Sequence, residues 1–289
     1  MNVSPPSPPP TVDLLLPAEM ARACEAVGVR KARMDLISTA VLSGLAGAFI
    51  AMGAMLFTVI MTSSNLGYGP TRLVGGIGFS LGLILVILTG GELFTGNTLI
   101  VMAWASRKVS TLLVLRNWLI VYAGNFGGAI LTVALVWSAH QWEFNSSRIG
   151  ASALTIAVSK VNLGFGEAIA LGILCNVLVA LAVWLSLGAR TLTEKAAAIV
   201  FPIAAFVAAG FEHSIANIYF IPMGLLVKDE PSVVAAADIA PDRLANLTWS
   251  NFLVDNLLPV TIGNIIGGAL LVGAVYWFVF LRNAQRPSP

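Results

Sequence analysis

Two strings, Gly90-Gly91-Glu92-Leu93-Phe94-Thr95-Gly96-Asn97 and Gly210-Phe211-Glu212-His213-Ser214-Ile215-Ala216-Asn217, carry the groups in this chain best suited to chemistry. Both read G-x-E-x-x-x-x-N, and each interrupts a long apolar run. His213 can donate a hydrogen bond, accept one, or change charge near physiological pH. An ionisable side chain at membrane depth is a functional candidate by default; the plainer alternative is a neutral imidazole satisfied by nearby backbone. Thr95 can bond an anion or cap a freed carbonyl. Glu92 and Glu212 would repel anions if ionised and exposed, so they read better as acceptors of backbone N–H bonds that brace each loop. Asn97 and Asn217 read likewise as caps or braces. Paired interruptions at matching places in two halves of an apolar chain point to a membrane transport site.

The elements that must position these groups follow from composition. Of the 289 residues, 57% are hydrophobic and only 10% charged, with mean hydropathy +0.88. A soluble domain carries about a quarter charged residues. The apolar material is spread along the whole chain, so the sequence describes an all-α polytopic membrane protein. The net charge of +2 gives no reason to expect nucleic acid. Cys24 and Cys175 have neither disulfide nor zinc spacing. No hydrolase, P-loop or metalloprotease motif is present, and Glu212-His213-Ser214 is adjacent only in sequence, so no enzyme, metal or cofactor is expected.

Charge-free runs give six spans, the second and fifth interrupted by the two motifs. The expected organisation is a Pro-rich disordered head (1–12), a cytoplasmic N-terminal helix (13–34) and a first three-helix repeat (35–142). An extracytoplasmic loop (143–160), a second three-helix repeat (161–282) and a short cytoplasmic tail (283–289) follow. In the N-terminal helix Met20, Ala21, Cys24 and Val27 fall on one face, which suits an interfacial packing role. With the N-terminus inside, eleven of the 16 Lys and Arg residues lie on the inner side and five on the outer. This asymmetry places both termini in the cytoplasm.

The repeat reaches beyond the motifs. Asn117 to Asn125 and Asn256 to Asn264 share N-x-L-x-V-x-x-G-N, each followed by a Gly-Gly-Ala string. Three spans per half is an odd number, so the second half must enter the membrane inverted. Such folds place the permeation site at the repeat interface. Breaking a membrane helix frees backbone groups that must be buried in protein or line a polar path. The positive N-terminal ends of the half-helices favour a small anion, although half-helix dipoles also serve pores for neutral solutes. Lys160 could gather anions at an outer mouth or be a solvated interfacial lysine. Phe79, Leu83 and Phe206 could form an apolar constriction or simply pack in the core. A non-transporting scaffold would leave the paired breaks unexplained.

Several strings make the chain resemble the formate/nitrite transporter family. They are Asp13-Leu14-Leu15-Leu16-Pro17, Leu93-Phe94-Thr95, Gly172-Ile173-Leu174-Cys175-Asn176, the second motif, and Pro259 to Gly268. The resemblance covers Asp13 to Arg282. It implies an aquaporin-like protomer in a homopentamer of the inner membrane, passing formate, nitrite or hydrosulfide; since a naked anion is costly in apolar surroundings, protonation by His213 would ease passage and link protons to it. It implies a central pore at His213, Thr95 and Asn176. An outer constriction at Phe79, Leu83 and Phe206 is likewise implied, with an inner one at Leu93, Phe94 and Val179 and an outer-side lysine at Lys160. Asp13 to Pro17, Ile221-Pro222-Met223-Gly224 and the last-span string resemble formate channels. Glu92-Leu93-Phe94-Thr95-Gly96 is closer to the nitrite branch. The balance favours formate.

Overall fold

The computed structural model describes residues 14–283. The expected Pro-rich head and nearly all of the expected tail lie outside the described residues. Helix α1 (Pro17–Arg33) opens with Pro17 at its first position, where a missing N–H costs nothing. Glu19 accepts the Leu16 N–H at 2.8 Å. Arg30, Lys31 and Arg33 close the helix, matching the sign of its dipole. Its expected packing face is observed: Met20, Ala21 and Cys24 are buried in one cluster with Trp184, Val272 and Leu281, while Val27 is half-buried. Burial pushes the Cys24 thiol up to about 12, so it is no nucleophile.

Five helices are long and apolar enough to cross a bilayer: α2 (Leu36–Met61), α3 (Tyr68–Thr89), α5 (Thr111–Ser138), α7 (Phe165–Gly188) and α12 (Asn251–Phe280). They hold 22 to 30 residues each, against the roughly 20 needed to span. Two further apolar helices are shorter, α4 (Phe94–Ala105) and α9 (Ser214–Val227). Helix α4 follows α3 across residues 90–93, and α9 follows α8 (Leu192–Ala208) across residues 209–213. The chain turns at Gly90 (φ +82°) and Gly210 (φ +78°), a left-handed backbone that suits glycine. Every residue of α9 except Leu226 is buried, as expected of a helix apolar all round and enclosed by others.

The 143–160 segment, expected as a loop, is largely helical: α6 spans Arg148–Val161. Nothing in its apolar content distinguishes it from a span fragment, and its 14 residues are too few to cross. Two short helices, α10 (Pro231–Ala237) and α11 (Pro241–Ala245), precede α12. Helices cross tightly where side chains vanish. A Cβ on Gly128 would strike the carbonyl of Gly44 between α5 and α2, and one on Gly267 would strike the carbonyl of Ile173 between α12 and α7. These two crossings occupy corresponding places in the repeat.

Candidate functional site

The two interruptions are built from the same hydrogen bonds. After α3, the Glu92 N–H donates to Leu42 O at 3.2 Å; after α8, the Glu212 N–H donates to Leu171 O at 3.3 Å. Asn125 Oδ1 accepts the Phe94 N–H at 2.9 Å, and its Nδ2 donates to Ser43 O and Glu92 O. Asn264 Oδ1 accepts the Ser214 N–H at 2.9 Å, and its Nδ2 donates to Gly172 O and Glu212 O. One buried asparagine thus satisfies two backbone groups that each break sets free, and its third bond ties the loop to a carbonyl of the neighbouring helix, Ser43 in α2 or Gly172 in α7.

The carboxylates carry a second matched layer. Lys31 Nζ donates to Glu92 Oε1 at 2.7 Å, and Asn97 Nδ2 donates to Glu92 Oε2 at 2.7 Å and to Asn117 Oδ1 at 2.9 Å. Asn117 Nδ2 returns to Lys31 O at 3.1 Å. Across the molecule, Lys160 Nζ donates to Glu212 Oε1 at 2.7 Å, and Asn217 Nδ2 donates to Glu212 Oε2 and Asn256 Oδ1, both at 2.7 Å. Asn256 Nδ2 returns to Lys160 O at 2.9 Å. Each glutamate is therefore a paired brace, and α6 stands to the second half as α1 stands to the first. The hydrogen-bond pattern that recurs therefore includes this flanking helix.

The loops differ in what they hold up. Leu93 precedes α4 and His213 precedes α9 in the same extended backbone conformation, φ −107°, ψ 127° and φ −114°, ψ 114°. Leu93 offers no cap. His213 Nδ1 accepts the Ala216 N–H at 3.1 Å. The neutral ring therefore carries its proton on Nε2, which lies 3.1 Å from Thr95 Oγ1 and donates to it. His213 is 3% exposed and Thr95 fully buried. This contact joins the two halves near the N-termini of α4 and α9. The Phe206 ring lies over the imidazole at 6.0 Å with planes 21° apart. Asn176 Nδ2 donates to Asn264 O at 2.6 Å and to Thr95 O at 3.3 Å. Its Oδ1 is buried with no hydrogen-bond partner among the described residues.

Two cavities approach this centre. One, of about 220 Å³, is lined by Phe57, Arg72, Phe79, Lys160, Phe206 and His213 among others. Phe79 and Phe206 meet edge to face there at 5.7 Å. The second, of about 40 Å³, is lined by Lys31, Leu83, Val86, Leu93, Asn97 and Val183 among others. Leu83 thus lies with Leu93 rather than with the Phe79 and Phe206 pair. It is one helical turn, about 6 Å, farther along α3 than Phe79, enough to carry it past the aromatic rings.

A sequence model described as formate/nitrite transporter matches residues 18–278. The chain belongs to that family. Its fold is shared with a solved pentameric formate channel with formate bound, at a TM-score of 0.79 and 42% identity, covering 86% of this chain and 98% of that one. The formate channel FocA of Escherichia coli K12 is 46% identical over 274 residues, 94% of this chain and 96% of its own. The formate channel FocA of Haemophilus influenzae is 41% identical over 236 residues, 80% of this chain and 83% of its own. Members of this family are transporters, so the chain is not an enzyme.

Of the residues expected at the site, the structure brings His213, Thr95 and Asn176 together and sets Phe79, Phe206 and Lys160 along one cavity. Phe94 and Val179 line neither cavity; Phe94 packs edge-on to Tyr122 at 4.8 Å, and Val179 is buried in the same core. Sequence reasoning missed the role of Lys31, and gave Asn117, Asn125, Asn256 and Asn264 no task beyond marking the repeat. Their signal was present, because four buried asparagines at matching places in apolar spans need partners.

Proposed function

We propose that this protein is a homopentameric channel of the inner membrane that passes formate, with a pore in each protomer and both termini cytoplasmic. In this reading the chain crosses six times: five long helices and two composite crossings, α3 with α4 and α8 with α9, of which α3 is counted among the long five. The two halves are inverted on one another in an aquaporin-like repeat. The similarity to a pentameric formate channel supports the assembly and the substrate, and the distribution of Lys and Arg supports the orientation.

The Thr95–His213 contact carries the mechanism. Formate enters the Lys160 cavity from outside and passes the Phe79 and Phe206 edge. At the centre, the Nε2–H of His213 and the hydroxyl of Thr95 replace part of its lost hydration, which a naked anion in apolar surroundings cannot forgo. Transient protonation carries it onward as neutral formic acid. For the ring to give its Nε2 proton to formate, Nδ1 must take one from water and release the Ala216 N–H; the neutral acid carries the transferred proton and returns it to water on the far side.

Flux of formate and nitrite into proteoliposomes, measured in parallel at neutral and acidic pH, tests the reading. Faster formate uptake that rises as pH falls is expected. Preference for nitrite would keep the pore but replace the substrate, and swelling with neutral solutes alone would overturn anion transport.

A further inference from the structure

We propose that Arg72, rather than Lys160, supplies the uncompensated positive charge that gathers anions in the larger cavity. The charged groups lining that cavity are Arg72, Lys160 and Glu212. Glu212 lies 2.7 Å from Lys160 and cancels it, so the formal sum of two cations and one carboxylate is the charge of Arg72. In the smaller cavity Lys31 is the charged lining residue, and Glu92 at 2.7 Å cancels it. Among the described residues no second cation lines that cavity. The helix ends contribute equally to both halves, a C-terminus of α3 or α8 and an N-terminus of α4 or α9, so they drop out of the comparison.

Arg72 is held where its charge is useful. It stands in the second turn of α3 and reaches across to the end of α8, where Nη2 donates to Val207 O at 2.6 Å and Nε to Ala208 O at 3.3 Å. Its guanidinium also lies 5.5 Å from the centre of the Phe57 ring. A guanidinium has five N–H donors, of which these bonds use two. It is half-buried, so its charge is screened less than that of a surface arginine. By the offset that relates Gly90 to Gly210, the counterpart of Arg72 is Leu192, an exposed apolar residue at the start of α8. The inverted half therefore has no equivalent cation. Lys160, bound to Glu212, Asn256 and the face of Phe220, is chiefly a part of the brace.

The inference rests on the transport reading above, and two substitutions separate charge from capping. Arg72→Gln keeps a donor for the α8 carbonyls and removes the charge; Arg72→Lys keeps the charge and loses the fork. Formate flux into proteoliposomes is measured against formate concentration, in an impermeant salt at about 10 and about 100 mM, between which the screening length falls from about 30 to about 10 Å. Oligomer elution confirms assembly of each variant. The half-saturating concentration is the readout, because a charge at the mouth raises the local anion concentration without altering the central step. In low salt, Arg72→Gln raises it roughly threefold or more and flattens its salt dependence, with maximal flux within about twofold. Arg72→Lys restores both. Unchanged half-saturation and salt dependence in Arg72→Gln, or equal loss in both variants, would make Arg72 a helix cap only. A wild-type protein that passes neither formate nor nitrite would instead remove the transport reading itself.

Discussion

The loop after α3 and the loop after α8 are nearly the same object in their scaffolding and different objects in their chemistry. In both, a buried asparagine holds three backbone groups, a carboxylate is locked between a lysine and an asparagine, and a short helix begins from an extended residue. At that residue one half has Leu93 and the other His213. The two loops share what satisfies a broken backbone, because each break in a dry interior must meet the same demand. In the proposed mechanism only one of them has to present a group to the permeating species, so the loops are free to differ there. Thr95, two residues beyond Leu93, supplies the complementary hydroxyl from the other half.

Substitution at the point of difference has the largest expected effect. His213→Leu copies the Leu93 side into the second loop and lowers formate flux about a hundredfold at neutral pH, the scale of a lost proton-transfer group. Leu93→Met, which conserves volume, leaves the pH profile of flux in place. Equal effects of the two changes would erase the distinction between the loops.

The shared scaffold is tested by paired changes. Glu212→Gln leaves Lys160 without its carboxylate and destabilises by about 3 kcal/mol, as loss of one partner of a buried pair does. Glu92→Gln has the same sign and a smaller size, since the Lys31 side chain is 22% exposed against 13% for Lys160. Midpoints of heat-induced aggregation in detergent should fall in that order. Asn264→Ala and Asn125→Ala each orphan two backbone groups of the loop and cost about 2 kcal/mol, read the same way, and should fall together. The smallest effect is at the join. Thr95→Val removes the hydroxyl beside Nε2 and slows formate flux about fivefold, the value of a hydrogen bond of about 1 kcal/mol, without lowering the aggregation midpoint.

Much of this was legible in the residues. The G-x-E-x-x-x-x-N strings marked both loops; the glutamates, expected to accept backbone N–H groups, accept instead from the side chains of Lys31 and Asn97 or of Lys160 and Asn217. The Asn117 and Asn256 strings marked the pairing of the third and last spans, though not the carbonyls and N–H groups their asparagines would reach, since those partners come from distant parts of the chain. The equivalence of α1 and α6 was not legible. Around Lys31 and Lys160 the two helices share little more than a valine two residues before the lysine, and the fit is set by a three-dimensional contact with Glu92 or Glu212. The position of Leu83 likewise depends on the axial distance along α3 from the aromatic pair, which a resemblance between sequences does not measure.

The most direct test of the central claim is formate uptake as a function of pH in proteoliposomes holding wild-type protein or the His213→Leu variant, matched for assembled oligomer. The account predicts wild-type uptake that climbs as pH falls and a variant that is slow and nearly flat across the same range. The same rate and the same slope in both would contradict it, and would leave His213 as a helix cap in a pore that works by other means.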